Sequence, residues 1–131
     1  VDLAQRIAAG EPIDRSMPMF NIIWQRDANE MALRSLADAS SPPSVLNIAG
    51  PEQLSIERAA EQLADWMNRR VEFTGEPAGE ALLSNGQYGH RRYGYPTVPA
   101  DQMMQWVAQW IEDGGEVLGK PTKFEVRDGK F

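Results

Sequence analysis

The sequence offers few side chains that could carry out chemistry. His90 is the only histidine in 131 residues, and there is no cysteine. A lone imidazole works as a general base only beside an orienting partner and a bound substrate. Because its setting, GQYGHRRYG, is polar and charged, we expect His90 to face solvent. One histidine without cysteines also makes a poor metal site. We predict neither catalytic nor metal-ligating residues in this chain.

Two pairs of carboxylates, Glu76 with Glu80 and Glu112 with Asp113, lie in polar stretches. An acid–base pair needs a dry pocket that separates the two pKa values, so we interpret both pairs as solvated charge. Three glycines in the segment 86–94 do not follow a strand and lack the spacing of a dinucleotide-binding turn. We expect them to let the tyrosines of the same segment pack closely.

Composition narrows the class of protein. The net charge of −6 argues against binding to nucleic acid or to anionic membranes, since both attract clustered cations. The absence of cysteine favours a reducing, cytoplasmic location. No apolar run approaches the ~20 residues that span a bilayer. The length fits one globular domain.

Hydrophobic patterns predict the elements that would position a site. The first is a strand at residues 20–25, followed by a helix to residue 39 with Asp27 as N-cap and Glu30 completing a capping box. A second strand, 45–49, precedes a strongly amphipathic helix, 56–67, capped by Ser55. The two strand-and-helix units are similar in plan and differ in sequence.

Weaker signals predict the remaining elements. A first helix ends at Gly10, a loop covers residues 11–18, and a short strand lies at 71–74. A helix at 85–93 stops at Gly94, and a last helix includes Met103 and Ile111. Residues 123–131 suit an extended or hairpin end. The predicted class is a helix-rich, mixed α/β (α+β) fold.

Four of these segments together resemble a known family. They are IIWQRDANEMALRSL with Asp27, VLNIAGPEQLSIERAAEQL with Asn47, GHRRYGYPTV with Gly94 and Tyr95, and PADQMMQWVAQWIEDGG with Trp110. Their order and spacing are similar to the C-terminal region of extended short-chain dehydrogenases, the NAD(P)-dependent epimerase/dehydratases. The resemblance implies a substrate-binding domain at residues 1–115, and residues 116–131 are then predicted to be an extended C-terminal tail.

The resemblance also implies what lies outside this chain. The family binds NAD(P) through a Gly-x-x-Gly-x-x-Gly turn on a Rossmann core and reacts through a Tyr-x-x-x-Lys pair; neither motif occurs here. Tyr88 and Arg92 form only a Tyr-x-x-x-Arg pattern, and arginine cannot share protons as lysine can. We therefore expect a longer parent protein whose N-terminal nucleotide-binding domain is this chain's partner. Alone, the chain is expected to bind no cofactor and to be inactive.

A departure from the family's pattern bears on the substrate. Phe20 stands where nucleotide-sugar epimerases place a phosphate-binding arginine, and no arginine lies near Gly75 for a second contact. We expect a more apolar wall and a small hydroxy or keto compound as substrate. The residues predicted to face the substrate are Phe20, Asn21, Trp24, Tyr88, Arg91 and Arg92.

A second hypothesis belongs to another class of protein. The chain would be a stand-alone binding or assembly module. A helical domain without its nucleotide-binding partner would expose the apolar surface that faced it, and would associate or exchange helices with further copies of itself. The sequence leaves open the substrate, the choice between NAD and NADP, and the choice among epimerase, dehydratase and dehydrogenase chemistry. It also leaves the oligomeric state open, including a homo-oligomer.

Overall fold

The computed structural model describes residues 1–81 and 83–120. Within these ranges the helices are α1 (Asp2–Ala9), α2 (Gln25–Ser35), α3 (Ile56–Trp66), α4 (Gln87–Tyr93), α5 (Ala100–Glu112) and a 3-10 turn (Leu36–Asp38). Four two-residue strands accompany them: β1 (Ile13–Asp14), β2 (Met19–Phe20), β3 (Leu54–Ser55) and β4 (Phe73–Thr74). The expected helix-rich, mixed α/β class is confirmed. The extended or hairpin end predicted at residues 123–131 lies outside the described residues.

The strands form two small sheets. β1 pairs in parallel with β4, with Ile13 opposite Phe73. β2 pairs antiparallel with β3, with Met19 opposite Ser55. The segment 11–18 was expected to be a loop throughout, and β1 corrects that expectation. No helix among the described residues has both the length and the apolar character that crossing a bilayer requires.

The first of two compact units comprises described residues 1–20, 54–81 and 104–120. Here α1 packs against α3, and Ile7 and Leu63 are buried on their apolar faces. The hydroxyl of Ser55 accepts a hydrogen bond from the Arg58 N–H at 3.4 Å, which confirms the predicted cap. Gly10 ends α1 in the left-handed conformation at φ 71°, also as expected.

The second compact unit comprises described residues 21–53 and 83–103, in which α2 packs against α4. The strand predicted at 20–25 is wrong beyond Phe20, because residues 21–24 are irregular and α2 begins at Gln25. The strand predicted at 45–49 is wrong as well, since that segment is irregular. Both segments have strand-like side chains, but within residues 1–81 and 83–120 neither residues 21–24 nor residues 45–49 pair with a strand, and pairing is what stabilises a strand.

The start of α2 differs from the capping box that the sequence suggested. The helix N-cap is Trp24, three residues before Asp27, so Asp27 lies inside the first turn with its side chain turned to a distant segment. Glu30 does not reach back to the N-terminus. It approaches Arg34 one turn further on, with a nitrogen–oxygen distance of 3.5 Å, which is the usual i, i+4 pair of an exposed helix face.

Candidate functional site

The second unit contains a cleft with a volume of about 430 Å³. Its described lining comes from three regions of the sequence, which are residue 21, residues 50–53 and residues 83–95. The loop after residue 49 contributes Gly50, Pro51 and Gln53, and the segment that leads into α4 contributes residues 83–87. Asn21, His90 and Tyr95 complete the described lining. The cleft therefore joins segments that are far apart in sequence and is built within one compact unit.

Asn21 holds two walls of this cleft together. Its side-chain Nδ2 donates to the carbonyl oxygen of Gly50 at 3.2 Å and to that of Ser84 at 2.8 Å. In return, the Ser84 N–H donates to Asn21 Oδ1 at 3.4 Å. These bonds use both ends of the amide to fix the loops. Asn21 was predicted to contact substrate; it lies at the cleft, and the contact itself stays a prediction.

His90 is one of the residues that line the cleft, and the expectation that it faces solvent is wrong. Only 4% of the residue is exposed. Its Nε2 lies 2.8 Å from the carbonyl oxygen of Ala49. A carbonyl oxygen can only accept, so Nε2 carries a proton, and in the tautomer with that proton alone Nδ1 is an acceptor. The imidazole also stacks on the ring of Tyr95, with centroids 4.9 Å apart.

Small residues on α4 explain this burial. A Cβ on Gly86 would lie 2.8 Å from the oxygen of Ala49, and one on Gly89 would lie 3.4 Å from the oxygen of Asn47. The backbone of residues 47–49 thus passes directly against the face of α4 that carries His90. The glycines make room for that backbone, and the expectation that they make room for tyrosines is corrected. Two glycines three residues apart, next to a histidine, were the available sequence signal.

Arg92, predicted to face substrate, is held by the 3-10 turn that follows α2. Its Nε donates to Asp38 Oδ2 at 2.9 Å, and its Nη2 donates to Asp38 Oδ1 at 2.6 Å. The hydroxyl of Tyr93 also donates to Asp38. The hydrogen bonds from Arg92 and then Tyr93 lower the pKa of Asp38 from 3.8 to about 2. This bidentate pair ties the end of α2 to α4.

Asp38 should therefore give the protein part of its acid sensitivity. A carboxylate whose pKa is lowered by folding stabilises the fold above its ordinary pKa, and this contribution is lost between about pH 4 and pH 2. We expect Asp38→Asn to remove that part of the decline. Urea-unfolding midpoints measured across this pH range test it. Arg92→Gln should reduce the loss of stability over the same pH range. If stability falls with pH as steeply in both variants as in the wild type, Asp38 does not have the assigned role.

The other predicted substrate residues do not line the described cleft. Trp24 and Tyr88 are exposed. Arg91 is exposed on α4, and Phe20 is half-buried in β2 of the first unit. The structure thus brings Asn21 to the cleft and leaves these four and Arg92 elsewhere. Sequence reasoning missed His90, Tyr95 and the segment 83–87, because local patterns do not reveal which loops meet.

Asp27 anchors the same unit from inside α2. Its Oδ2 accepts from the N–H groups of Thr97 at 2.8 Å and Val98 at 3.2 Å, and its Oδ1 accepts from the Thr97 hydroxyl at 2.8 Å. Burial by itself raises the pKa of Asp27. The hydrogen bonds from Thr97 and Val98, together with the charge of Arg26, outweigh burial and lower the pKa below its ordinary value. The side chain therefore stays ionised and bridges two distant segments.

Two solved enzymes have a similar fold over part of their length. One is the UDP-glucuronic acid 4-epimerase from Bacillus cereus, in complex with NAD, at a TM-score of 0.66 and 17% identity. The other is a UDP-galactose 4-epimerase, at a TM-score of 0.62 and 15% identity. The matches cover 88% and 86% of this chain. This chain shares the fold of part of each epimerase.

The matched region is a minor part of both epimerases. This chain spans 39% of the length of each of them. No family model and no curated protein matches the sequence. At this level of identity the likeness is one of fold, and function has to be argued from the site.

Proposed function

We propose that this chain is the substrate-binding part of an NAD(P)-dependent epimerase/dehydratase-like oxidoreductase. The observation that carries the proposal is the fold shared over most of this chain with 39% of each of two 4-epimerases. Four sequence segments in the same order as the family's landmarks support it independently. The remainder of the parent protein would bind the cofactor and supply the reactive groups.

The residues of this chain do not fit a dinucleotide cofactor. Pyrophosphate is usually held where a glycine-rich turn meets a helix N-terminus, and the sequence has no Gly-x-x-Gly-x-x-Gly turn. It has no Tyr-x-x-x-Lys pair either. Among the described residues, no group of three His, Cys, Asp or Glu side chains could hold a metal ion. We derive no reaction step from this chain and assign it the task of binding substrate.

The proposed substrate is a hydroxy or keto compound that lacks a diphosphate. Phosphate recognition favours arginine, whose planar fork donates two hydrogen bonds. Phe20 stands at the position where the family resemblance calls for arginine. Lysine and arginine are also missing from the described lining of the cleft. The parent reaction would be a hydride transfer between such a compound and NAD(P).

Cofactor titration tests whether the cofactor is bound outside this chain. We expect no heat of binding when NAD or NADP is titrated into residues 1–131, because the chain has no dinucleotide turn. The intact gene product should bind the cofactor and carry a glycine-rich turn and a Tyr-x-x-x-Lys pair upstream of Val1. Micromolar binding of NAD to residues 1–131, or an intact gene product without those motifs, would overturn the proposal.

A second candidate function is a self-associating module. Its support is the exposure of large apolar side chains in the first unit, among them Trp106, Trp110 and Leu118. Exposed apolar side chains mark a protein interface where they form a contiguous patch. Sedimentation velocity of residues 1–131 over a range of concentrations separates the cases. Reversible dimers that persist in the intact gene product would favour the module, and a monomer at all concentrations would remove it.

A further inference from the structure

We propose that the cleft of the second unit binds a neutral, hydroxyl-bearing ring compound, a carbohydrate or cyclic polyol, and that His90 accepts a ligand hydroxyl at Nδ1. This inference rests on the proposed function and deepens it by naming a class of substrate and the residues that recognise it. Three properties of the cleft carry it: its size, its lack of charge, and the arrangement of His90 beside Tyr95.

The size and composition of the cleft suit a small polar molecule. A volume of about 430 Å³ lies within the range of small-molecule sites. The described lining contains polar side chains that both donate and accept hydrogen bonds, namely Gln53, Ser84, Asn85 and Gln87. A hydroxyl group also donates and accepts, so a polyol can satisfy such a lining from either direction.

The lining also selects against charged ligands. No Asp, Glu, Lys or Arg is found among the cleft residues that the structure describes. Moving an ion out of water without a partner of opposite charge is far more costly than moving a hydroxyl that finds a hydrogen bond. Phosphorylated or carboxylated compounds should therefore bind more weakly than their neutral counterparts.

His90 supplies a fixed acceptor. Its Nε2–H is committed to the carbonyl oxygen of Ala49 at 2.8 Å, which sets the tautomer and the ring orientation. The close approach of Gly86 to the same edge of the ring leaves little freedom there, since a Cβ would lie 3.0 Å from Nε2. Nδ1, unprotonated in this tautomer, is the ring nitrogen that remains for a ligand.

Tyr95 supplies an apolar wall beside that acceptor. The residue is 66% exposed, and its ring stacks on His90 at an interplanar angle of 26°. An aromatic face covers the C–H surface of a sugar or cyclitol ring, while the amide side chains bond its hydroxyls. The pairing of an aromatic wall with uncharged polar groups favours a ring polyol over a linear apolar ligand.

Nuclear magnetic resonance of the single imidazole tests the inference directly. Because His90 is the only histidine, its ring nitrogen signals are unambiguous. Residues 1–131 are titrated without cofactor with glucose, galactose and myo-inositol, and then with glucose 6-phosphate. We expect the Nδ1 signal to move with at least one neutral probe, and glucose 6-phosphate to bind about tenfold more weakly than glucose. No movement with any neutral probe, or tighter binding of the phosphate, would overturn it.

Matched variants separate recognition from folding. Tyr95→Ala should weaken binding of the neutral probe about tenfold or more. Leu33→Ala removes a large side chain of the same unit that is 69% exposed and lies outside the described lining, so it should leave the affinity unchanged. His90→Gln keeps a donor for Ala49 and removes Nδ1, and it should weaken binding to a similar extent. Equal affinities in the Tyr95 and Leu33 variants would contradict the proposed wall.

The outcomes also distinguish this inference from the proposed function. The titrations contain no NAD and involve no turnover, so they report on the cleft alone. If the parent proves to be an NAD(P)-dependent enzyme and the cleft binds none of the neutral probes, only the proposal that the cleft binds a ring polyol fails. If the cleft binds a polyol and the gene product has no dinucleotide-binding part, only the proposed function fails.

Discussion

Replacing Asp27 by alanine is expected to lower the free energy of unfolding by about 3 kcal/mol. Only 4% of this residue is exposed, and its carboxylate accepts hydrogen bonds from two N–H groups and one hydroxyl of residues 97 and 98. Hydrogen bonds to an ionised group are stronger than neutral ones. The variant also leaves the donors of Thr97 and Val98 without a partner, which adds a desolvation cost. Urea unfolding followed by circular dichroism measures the loss.

Two further variants show whether charge or position matters. Asp27→Asn keeps an acceptor oxygen for the two N–H groups, and its amide nitrogen can donate to the Thr97 hydroxyl, but it lacks the negative charge, so we expect it to recover only part of the loss. Glu30→Gln changes a carboxylate on the same helix whose pairing with Arg34 is exposed. Exposed ion pairs contribute little, so this control should cost no more than about 0.5 kcal/mol. Similar losses in the Asp27 and Glu30 variants would refute the anchoring role.

The stabilising role of Asp27 should also appear in the dependence of stability on pH. The pKa of Asp27 is lower in the folded protein than its ordinary value. Its contribution is therefore complete above that ordinary pKa and is lost as the pH falls toward the folded value. Asp27→Asn removes this contribution, so the stability difference from the wild type should shrink as the solution is acidified. A difference that stays constant down to the acid transition would contradict a lowered pKa for Asp27 in the folded protein.

Secondary-structure elements that are stabilised by residues within them could be predicted from the sequence. Elements that need a partner distant in sequence could not. α3 combines an unbroken apolar stripe with a local cap at Ser55, and both signals lie within the helix itself. The segments 20–25 and 45–49 have strand-like side chains, but a strand also needs a neighbour at the right distance and register. In the part of the chain that the structure describes, residues 21–24 and 45–49 have no such neighbour, and no local pattern reports this.

The predictions that Asp27 caps α2 and that His90 faces solvent were wrong for the same physical reason. Asp27 looked like a helix cap because caps are local, whereas its partners Thr97 and Val98 lie 70 and 71 residues away. His90 looked solvated because its sequence neighbours are polar. Its burial depends on the backbone of residues 47–49, which approaches a glycine-lined helix face. The paired glycines could have shown that something passes close to α4, but not which segment.

Gly50→Ala is expected to destabilise the protein by about 3 kcal/mol and to disturb the cleft. Gly50 is buried, and a Cβ built there would lie 1.7 Å from the backbone oxygen of Ile22 and 2.9 Å from its carbonyl carbon. A flexible side chain could turn away from such an overlap, but a backbone carbonyl can move only with its segment. Moving the Ile22 carbonyl would also shift the neighbouring Asn21, whose side chain donates a hydrogen bond to the oxygen of Gly50.

Three glycine-to-alanine substitutions should differ in how much stability they cost, and their expected order extends this prediction. Gly86→Ala meets the oxygen of Ala49 at 2.8 Å, a milder overlap, so its loss of stability should be smaller than that of Gly50→Ala. Gly79→Ala meets nothing within 4 Å and should stay within about 0.5 kcal/mol of the wild type. Thermal and urea unfolding of the three variants give the order. If Gly50→Ala were as stable as Gly79→Ala, the close approach of Gly50 to Ile22 would be wrong, and with it the position of the loop that lines the cleft.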